Sequence, residues 1–413
     1  SMKYLVRRSS VVFLTPLCIV TFIFVLNMEN DSSEKYSGDS HLPFEDQSDL
    51  LPKQKTFKSE IETIKGKIKL RDELMTPTLF RKDYSHVLVV QVHNRSDMLK
   101  LAIESMEKLQ GVQKALIVFS HDVFSESIND LIDTVDFCDK AQIFMPYSMQ
   151  LNPNRFPGSS PDDCPRDFDP IKAKTINCAN AEWPDKYGHY REAKYTQIKH
   201  HWWWKANTVF DKLLVTKNLQ VPFIFLEEDH YLLKDTLSLI NEQLAQVRRK
   251  YPNSLLTMGG YRTLNAIASS DLNHIKVVPW KSTEHNIGIV MERQKWEKIK
   301  HCRYKFCHFD DYNWDWTLQH IFSTCVEPKL YAAYLNFPRV HHIGLCGFHV
   351  QEEGCDPSEL INKIEKIYND KQEAINPRDL ILTDMEVGPD PYDVVNGGWG
   401  DKRDHALCLN MSI

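Results

Sequence analysis

His86-Val87-Leu88-Val89-Val90-Gln91-Val92 is an apolar run rich in valine, a composition typical of a strand buried on both faces. Helical spacing of apolar residues follows from Ser96 to Leu109, and a second strand is expected from Ala115 to Phe119. A helix near residues 126–135 and a third strand at 142–146 continue the alternation. Because parallel strands need crossover connections, this β-α-β-α-β order predicts an α/β fold with a mostly parallel sheet flanked by helices.

Other segments extend this pattern in both directions. A long helix is expected over about residues 190–217, and Pro222–Leu226 has the composition of another buried strand. Upstream, residues 58–74 favour a short helix inside an otherwise polar segment. The whole chain has 413 residues, 42% of them hydrophobic, and a net charge of −6, which excludes a wholly disordered or collagen-like chain. Its mild acidity argues against a general nucleic-acid-binding protein.

The first thirty residues predict a membrane anchor. An uncharged apolar run from Ser9 to Met28 is preceded by basic residues and followed by acidic ones, so the N-terminus is expected in the cytoplasm and the remainder in the lumen. A cleaved signal peptide is the alternative, but no small-residue cleavage site follows the run. The predicted organisation is a cytoplasmic tail (1–8), a transmembrane signal anchor (9–28), a lumenal stem (29–80) and a catalytic domain (81–413).

Polar side chains follow several of the predicted strands, where ligands of open α/β sheets bind. The first strand ends in Gln91-Val92-His93-Asn94-Arg95 and the second in Ser120-His121-Asp122. Amide, imidazole and guanidinium groups suit a base and its phosphates, and Asp122 suits ribose hydroxyls. Polar strand ends are also common without a ligand.

The fourth strand ends in Glu227-Glu228-Asp229-His230. Three consecutive carboxylates repel each other unless a cation or a proton intervenes, and oxygen donors suit Mg²⁺ or Mn²⁺. A divalent ion there would stabilise a diphosphate leaving group. A solvated helix N-terminus is the alternative.

Two further motifs have a functional and a structural interpretation. In Asp310-Asp311-Tyr312-Asn313-Trp314-Asp315-Trp316, an aspartate among aromatic rings is suited to act as a base, or Asp311 or Asn313 is a helix N-cap. His341-His342 precedes a loop of small residues, so one histidine completes a metal site or the pair belongs to a surface cluster. His200 and His201 lie on different faces of a helix and are not expected to chelate one ion.

Cysteine content fits an oxidising compartment. Nine cysteines lie outside the anchor and cannot all pair with one another, and Cys138, next to apolar neighbours, is expected to be the free buried thiol. A structural zinc site is a poor alternative because no pair has CxxC spacing.

Eight motifs in one order give the chain a resemblance to a known family. It closely resembles the Golgi α-1,6-mannosyl-glycoprotein 2-β-N-acetylglucosaminyltransferases (N-acetylglucosaminyltransferase II of N-glycan maturation) from about residue 84 to 408. The motifs are Gln91–Arg95, Phe119–Asp122, Gly188–Lys194, His200–Lys205, Leu226–Tyr231, Lys281–Asn286, Asp310–Leu318 and Asn396–Asp401.

The resemblance implies a GT-A-type, Rossmann-like fold and an inverting transfer of N-acetylglucosamine from UDP-N-acetylglucosamine to O2 of the α-1,6-arm mannose of N-glycans on glycoproteins. It implies Asp315 as general base, Mn²⁺ as cofactor, no nucleic-acid partner, and a single-pass type II Golgi membrane enzyme; a homodimer stays open. Implied metal ligands are Asp229 and His342. Implied UDP-sugar-binding residues are Gln91, Val92, His93, Asn94, Arg95, Asp122, Gln197, Ile198, Lys199, His200 and His201.

The resemblance also implies four disulfides: Cys164–Cys178, Cys302–Cys325, Cys307–Cys408 and Cys346–Cys355. This chain departs from the family at Asn265, where relatives have an arginine for which Arg262 is a candidate replacement. It also has sequons at Asn30, Asn94 and Asn410. Asn94 is expected to be unmodified, because a glycan would block the nucleotide loop.

Three other functions compete with this one. A sister enzyme would use the same donor with another mannose acceptor, such as the α-1,3 arm. A lumenal lectin-like protein would bind glycans through Trp-rich surfaces without turnover, although the carboxylate run and Asp315 speak against it. A metal hydrolase would need no nucleotide site, so UDP binding would separate it from the others.

Overall fold

The computed structural model describes residues 50–74, 83–261, 267–344, 356–371, 374, 379–386, 388 and 395–412. By its internal contacts the chain divides into Ser1–Pro52 and Lys53–Ile413, and the fold below belongs to the second unit. The predicted tail and anchor (1–28) lie outside the described residues. None of the described helices is long and apolar enough to cross a membrane.

Strands and helices alternate through most of the described chain. The strands are β1 (His86–Val92), β2 (Ala115–His121), β3 (Asp139–Phe144), β4 (Phe223–Glu227), β5 (His230–Leu232), β6 (Ser254–Thr257), β7 (His274–Pro279), β8 (Ile289–Met291), β9 (Tyr331–Leu335), β10 (Val340–His342) and β11 (Ile381–Leu382). The helices are α1 (Leu50–Leu74), α2 (Ser96–Glu107), α3 (Glu126–Asp133), α4 (Pro170–Ile176), α5 (Ala193–Asn207), α6 (Thr236–Lys250), α7 (Ser282–His285), α8 (Arg293–His301), α9 (Arg303–His308), α10 (Trp314–Thr324), α11 (Pro357–Lys371) and α12 (Lys402–Met411).

The described strands form a nine-stranded sheet in the order β11-β7-β9-β6-β8-β4-β1-β2-β3, with β5 and β10 as a separate antiparallel pair. β1 pairs in parallel with both β2 and β4, and β2 pairs in parallel with β3. Within the nine-stranded sheet of the described residues, the antiparallel pairs are β4–β8, β6–β8 and β7–β9. The α/β architecture with a mostly parallel sheet is therefore confirmed.

Helices cover both faces of this sheet, so β1 has no exposed face. Val87 and Val89 point into a core built with α5, α8, α9 and α10. Leu88, Val90 and Val92 point into the opposite core, built with α2, α3 and α6. Alternation of side chains along a strand produces this division. Both cores are needed to hold the carboxyl ends of β1, β2 and β4 side by side.

Two predicted elements have different bounds in the structure. The third strand is Asp139–Phe144, three residues earlier than expected at its start, because it pairs with the whole of β2 from Leu116 onward. The helix expected over residues 190–217 is only Ala193–Asn207, followed by a wider turn at Thr208–Lys212. Leu213 and Val215 still pack on the core from a loop, which is why apolar spacing alone overextended the helix.

Three disulfides lie at positions that the family resemblance implied: Cys164–Cys178, Cys302–Cys325 and Cys307–Cys408. The implied Cys346–Cys355 pair lies outside the described residues. Cys138 is free, as expected, but half-buried rather than fully buried. Burial raises the pKa of its thiol to about 12, so it is not a reactive thiolate.

Candidate functional site

Three neighbouring strand ends form the first half of the candidate site, here called the nucleotide rim: residues 91–95, 120–122 and 227–229. Gln91 is in register with Glu227 of β4, and Val92 with His121 of β2. The parallel order β4-β1-β2 thus brings together the three polar strand ends. The expectation that they share one edge is confirmed.

Asp122 is at the centre of a hydrogen-bond cluster on the rim. Its Oδ1 pairs with His93 Nδ1 (2.8 Å), and its Oδ2 accepts from Gln197 Nε2 (3.0 Å). Burial works to raise the pKa of Asp122, but the His93 hydrogen bond and the nearby His201 bring it below the ordinary value. Asp122 is therefore an ionised acceptor near neutral pH, suited to a ribose or base donor.

Other rim residues differ in what they expose. Val92 is fully buried, so only its backbone is available there; its carbonyl accepts from Asp122 N (3.4 Å). Asn94 is exposed and His93 is half-exposed. The Asn94 sequon therefore lies on an accessible part of the rim. Asn410 is also exposed on α12, whereas Asn30 lies outside the described residues.

Helix α5 brings only part of the segment 197–201 to the rim. Gln197 and His201, one turn apart, face it: His201 Nε2 pairs with Ser120 Oγ (2.9 Å). Lys199 and His200 direct their side chains elsewhere, so the structure does not bring these two side chains to the rim. Lys199 Nζ donates to the Phe309 carbonyl (3.0 Å), and His200 Nε2 pairs with Asp404 (2.8 Å). Ile198 is partly exposed.

Lys205 of α5 contacts the nucleotide rim, although sequence analysis gave it no role. It is buried, and its Nζ donates to Gln91 Oε1 (2.7 Å). Burial lowers the pKa of Lys205 to about 7, while the charges of Glu227 and Asp122 oppose this. A lysine inside a helix that is otherwise buried was the available signal, since an unpaired buried charge is costly.

Arg95 is the cation that holds the acidic turn after β4. Its Nε donates to Glu228 Oε1 and its Nη1 to Asp229 Oδ2, both at 2.7 Å. Glu228 also accepts from His93 N (2.8 Å), which ties the turn to the loop after β1. This turn joins β4 to β5 directly, so the alternative of a solvated helix N-terminus is wrong.

Metal-ligand chemistry is available at Asp229. Its Oδ2 lies 3.1 Å from His342 Nε2, and its buried Oδ1 has no hydrogen-bond partner in the described part of the chain. Glu227 and His230 offer further ligand atoms, within 4.8 Å of one another and of an Asp229 oxygen. A carboxylate oxygen left without a donor, beside imidazole nitrogens, fits a divalent cation such as Mn²⁺.

The backbone approaches this acidic turn closely. A Cβ on Gly344 would lie 2.0 Å from Asp229 Oδ2, so no other residue fits there without movement. His341 is buried, and His342 is one-quarter exposed on β10, where it pairs with His230 of β5. The surface-cluster interpretation of these two histidines is therefore wrong.

Asp315 lies in the first turn of α10 and is the second half of the site. Its Oδ2 accepts from Asn286 Nδ2 (3.0 Å) and its Oδ1 from Trp316 N (2.9 Å). Burial raises the pKa of Asp315 to about 6, against these two hydrogen bonds. The negative charge of Glu227, a residue of the nucleotide rim, also raises the pKa of Asp315.

Asn286 and Tyr261 complete the surroundings of Asp315. Tyr261 is 56% exposed and forms a hydrogen bond with Asn286. Burial raises the pKa of Tyr261, and the charges of Glu227 and Asp315 act in the same direction. Sequence analysis quoted Asn286 within a motif but gave it no role, because nothing local links residue 286 to residue 315. Arg262 and Asn265 lie outside the described residues.

A cavity of about 390 Å³ is lined by residues from the segment before α10, the start of α5 and the 396–398 segment; Asp315 is not among them. Tyr312, three residues before Asp315, lines it and stacks on Tyr195 with ring centroids 5.1 Å apart. Arg166, Asp185 and Asn396 add charged and amide groups. Aromatic faces beside such groups suit a polar ligand with apolar patches.

Comparison with known proteins identifies a family and relatives that match most of the chain. The model of the family described as N-acetylglucosaminyltransferase II (MGAT2) matches residues 58–408. The alpha-1,6-mannosyl-glycoprotein 2-beta-N-acetylglucosaminyltransferase of Mus musculus is 43% identical over 327 residues, which cover 78% of this chain and 73% of the mouse protein. The Arabidopsis thaliana protein of the same name is 32% identical over 336 residues, covering 79% of this chain and 74% of its own length.

One solved structure illustrates a distant similarity. S. aureus TarS 1–349 in complex with UDP gives a TM-score of 0.31 at 8% identity, covering 61% of this chain and 60% of that one, too low to carry an argument. The family match and the relatives' identities are sufficient without it. The chain belongs to the N-acetylglucosaminyltransferase II (MGAT2) family.

Proposed function

We propose that the chain is an inverting glycosyltransferase that moves N-acetylglucosamine from UDP-N-acetylglucosamine to O2 of the α-1,6-arm mannose of N-glycans. Family membership supports the donor and the acceptor. The observation that carries the chemistry is Asp315, a largely enclosed carboxylate with a pKa raised to about 6 by burial and held by Asn286. Such a group is ionised at neutral pH and basic enough to accept a proton in the transition state.

The nucleotide rim binds the donor in this proposal. Asp122 accepts hydrogen bonds from the nucleoside, and Gln197 and His93 hold its carboxylate in place. Asp229 and His342 would hold Mn²⁺, which supplies positive charge for the diphosphate leaving group. Arg95 adds a fixed guanidinium beside the same carboxylates.

Transfer then needs one displacement. Asp315 takes the proton from the mannose hydroxyl as that oxygen forms a bond to the anomeric carbon. The bond from that carbon to the diphosphate oxygen breaks on the opposite face, and UDP leaves with the bonding electrons. Attack opposite the leaving group converts an α-linked donor sugar into a β-linked product. The cavity lined by Tyr195 and Tyr312 is our proposed acceptor-binding surface, because its aromatic faces suit sugar rings.

We also propose that the enzyme is a single-pass type II protein of the Golgi membrane with a lumenal catalytic domain. The apolar run at residues 9–28, with basic residues before it, supports this arrangement. A homodimer remains compatible with it. Microscopy of the tagged full chain beside Golgi markers, with protease protection of the C-terminus, tests the proposal; protease sensitivity in intact vesicles would contradict it.

The activity test uses the full chain, UDP-N-acetylglucosamine, Mn²⁺ and a trimannosyl N-glycan carrying N-acetylglucosamine on its α-1,3 arm. We expect one β-1,2-linked sugar added to the α-1,6 arm, read by mass spectrometry and linkage analysis, and no product with chelator. Addition to another mannose would identify a sister enzyme. Binding of UDP or glycan without any product would contradict the proposed function and favour a binding protein.

A further inference from the structure

The segment that precedes Asp315 is fixed by a buried carboxylate that the proposed reaction does not use. Asp311 is fully buried, and each of its oxygens accepts two hydrogen bonds. Oδ1 accepts from Asn313 N (2.8 Å) and Nδ2 (3.0 Å). Oδ2 accepts from Asn396 N (2.9 Å) and Nδ2 (3.0 Å). One side chain therefore joins the start of α10 to a segment 85 positions away.

The backbones on either side of this carboxylate are also joined. Asp311 forms a β-bridge with Gly397, and Tyr312 N donates to the Gly397 carbonyl (3.2 Å). A Cβ on Gly397 would lie 2.3 Å from Asp185 Oδ2, so the 396–398 segment fits only with a glycine at this point. Asp185 and Asn396 line the cavity, so the bridge lies next to the cavity lining.

Lys199 reaches the same segment from α5, and its charge works against the burial that raises the pKa of Asp311. Its Nζ donates to the carbonyls of Phe309 (3.0 Å) and Asp311 (2.8 Å) and lies 4.2 Å from the centre of the Trp399 ring. Burying a lysine and an aspartate together costs desolvation energy that an apolar pair would avoid. Stability alone does not explain such a pair, whereas a fixed geometry around residues 309–313 does.

We propose that Asp311 is a positioning residue for the transfer: it holds Asn313, and through it the first turn of α10 with Asp315, in fixed relation to the 396–397 segment of the cavity. This inference rests on the proposed function, because it takes Asp315 as the base. The side chain of Asn313 makes no N-capping hydrogen bond; its amide nitrogen instead donates to Asp311 Oδ1. Acceptor groups bound in the cavity are thereby aligned with the base.

The test replaces Asp311→Asn in the full chain and measures kcat and KM for donor and acceptor separately. Asparagine has nearly the same volume as aspartate, but its NH₂ group cannot accept hydrogen bonds. It would face N–H donors that the carboxylate oxygen now accepts from. We expect kcat to fall about 100-fold, the cost of a displacement of about 1 Å at a reacting group. Donor KM and UDP affinity should stay within about twofold, since the nucleotide rim is untouched.

Asp404→Asn is the matched control. Asp404 is equally buried, and its side chain bonds Arg191 and His200 rather than the 309–315 segment. We expect comparable loss of thermal stability from both variants but a kcat near wild type for Asp404→Asn. Hydrogen exchange of the first turn of α10 should accelerate only in Asp311→Asn.

Asn313→Ala keeps the test decisive where Asp311→Asn does not fold, because it removes one hydrogen bond from Asp311 and leaves the carboxylate. It should lower kcat about tenfold by the same displacement argument. If the wild type is active and Asp311→Asn and Asn313→Ala have the same kcat as the wild type, this inference alone is overturned. A wild type without transferase activity would overturn the proposed function and this inference together.

Discussion

The nucleotide rim and the base side of the site are built in different ways. Rim residues come from strands that are neighbours in a parallel sheet, so the sheet itself sets their spacing. On the base side, the loop before α10 is held by hydrogen bonds from distant segments, such as Trp399 N to Asp310 Oδ1 across 89 positions. The Cys307–Cys408 disulfide, spanning 101 positions, adds a covalent link there.

This difference suggests a division of labour. Because the sheet sets the spacing of the rim residues, changes in the loops should leave that spacing intact. The rim should therefore bind the donor nucleotide independently of the base. A base side assembled from long-range contacts should instead respond to changes far away in sequence. Variants on the two sides are therefore expected to change different kinetic constants.

The largest effect is expected for Asp315→Asn. Removing the only proposed proton acceptor should lower kcat by about 10²- to 10⁴-fold, with donor KM nearly unchanged. Steady-state assays with a saturating acceptor give both constants. A variant with wild-type kcat would assign the base elsewhere and remove the contrast between the two sides.

Acidic pH should lower kcat by protonating the base. Asp315 has a pKa raised to about 6, and only its ionised form accepts a proton. Activity should thus be full above that value and fall about tenfold for each pH unit below it, as for one essential ionisation. A profile of kcat from pH 4.5 to 8 measures this. A flat profile down to pH 5 would contradict the assignment.

A smaller effect is expected for the cavity. Tyr195→Ala removes the ring stacked on Tyr312 and should raise acceptor KM about 2- to 10-fold, from a loss of roughly 0.5–1.5 kcal/mol for an aromatic pair. Donor KM should not change. Tyr304→Ala, which removes an exposed ring stacked on His308, is the control. An equal rise for both variants would indicate that the cavity does not bind the acceptor.

The smallest effect concerns helix α1, part of the predicted stem. Arg71 forms two 2.8 Å hydrogen bonds to Asp133 and also donates to buried Gln142, which in turn donates to Asn129 (2.9 Å). Arg71→Ala leaves a buried acceptor unpaired, at a cost of about 1–3 kcal/mol, so the melting temperature should fall by a few degrees.

Lys67→Ala is the control for that prediction. Its pair with Glu126 is exposed, so its loss should cost at most about 1 kcal/mol. Thermal melts of both variants decide the matter. A smaller shift for Arg71→Ala than for Lys67→Ala would show that α1 does not brace β3.

Sequence analysis was most successful where local pattern and sheet topology agree. Residues 86–92 and 115–119 could be identified as buried strands, and the polar residues after them could be placed on one edge. Helix ends were less predictable, because the apolar residues of 213–215 pack on the core from a loop. Lys199 and His200 were assigned to the nucleotide because a motif lists residues in order, whereas a helix turns adjacent side chains by about 100°.

For the base side, the 310–316 motif alone left a base and a helix cap both open, and the family resemblance decided between them. Nothing near Asp315 in sequence indicates that Asn286 donates to it, or that Asp311 contacts Asn396. Such contacts depend on how distant loops meet, and no local propensity encodes that. Sequence analysis offered N-capping by Asp311 or Asn313 as the alternative to catalysis, yet Asn313 occupies the cap position while Asp315, in the first turn, remains available.

The central claim is that donor binding belongs to the rim and proton transfer to Asp315. Calorimetric titration of UDP with Mn²⁺ into wild type, Asp122→Ala and Asp315→Asn tests it most directly. We predict wild-type affinity for Asp315→Asn and a loss of about 10- to 100-fold for Asp122→Ala, as for hydrogen bonds to a charged group. Undiminished binding by Asp122→Ala, or lost binding by Asp315→Asn, would contradict the account.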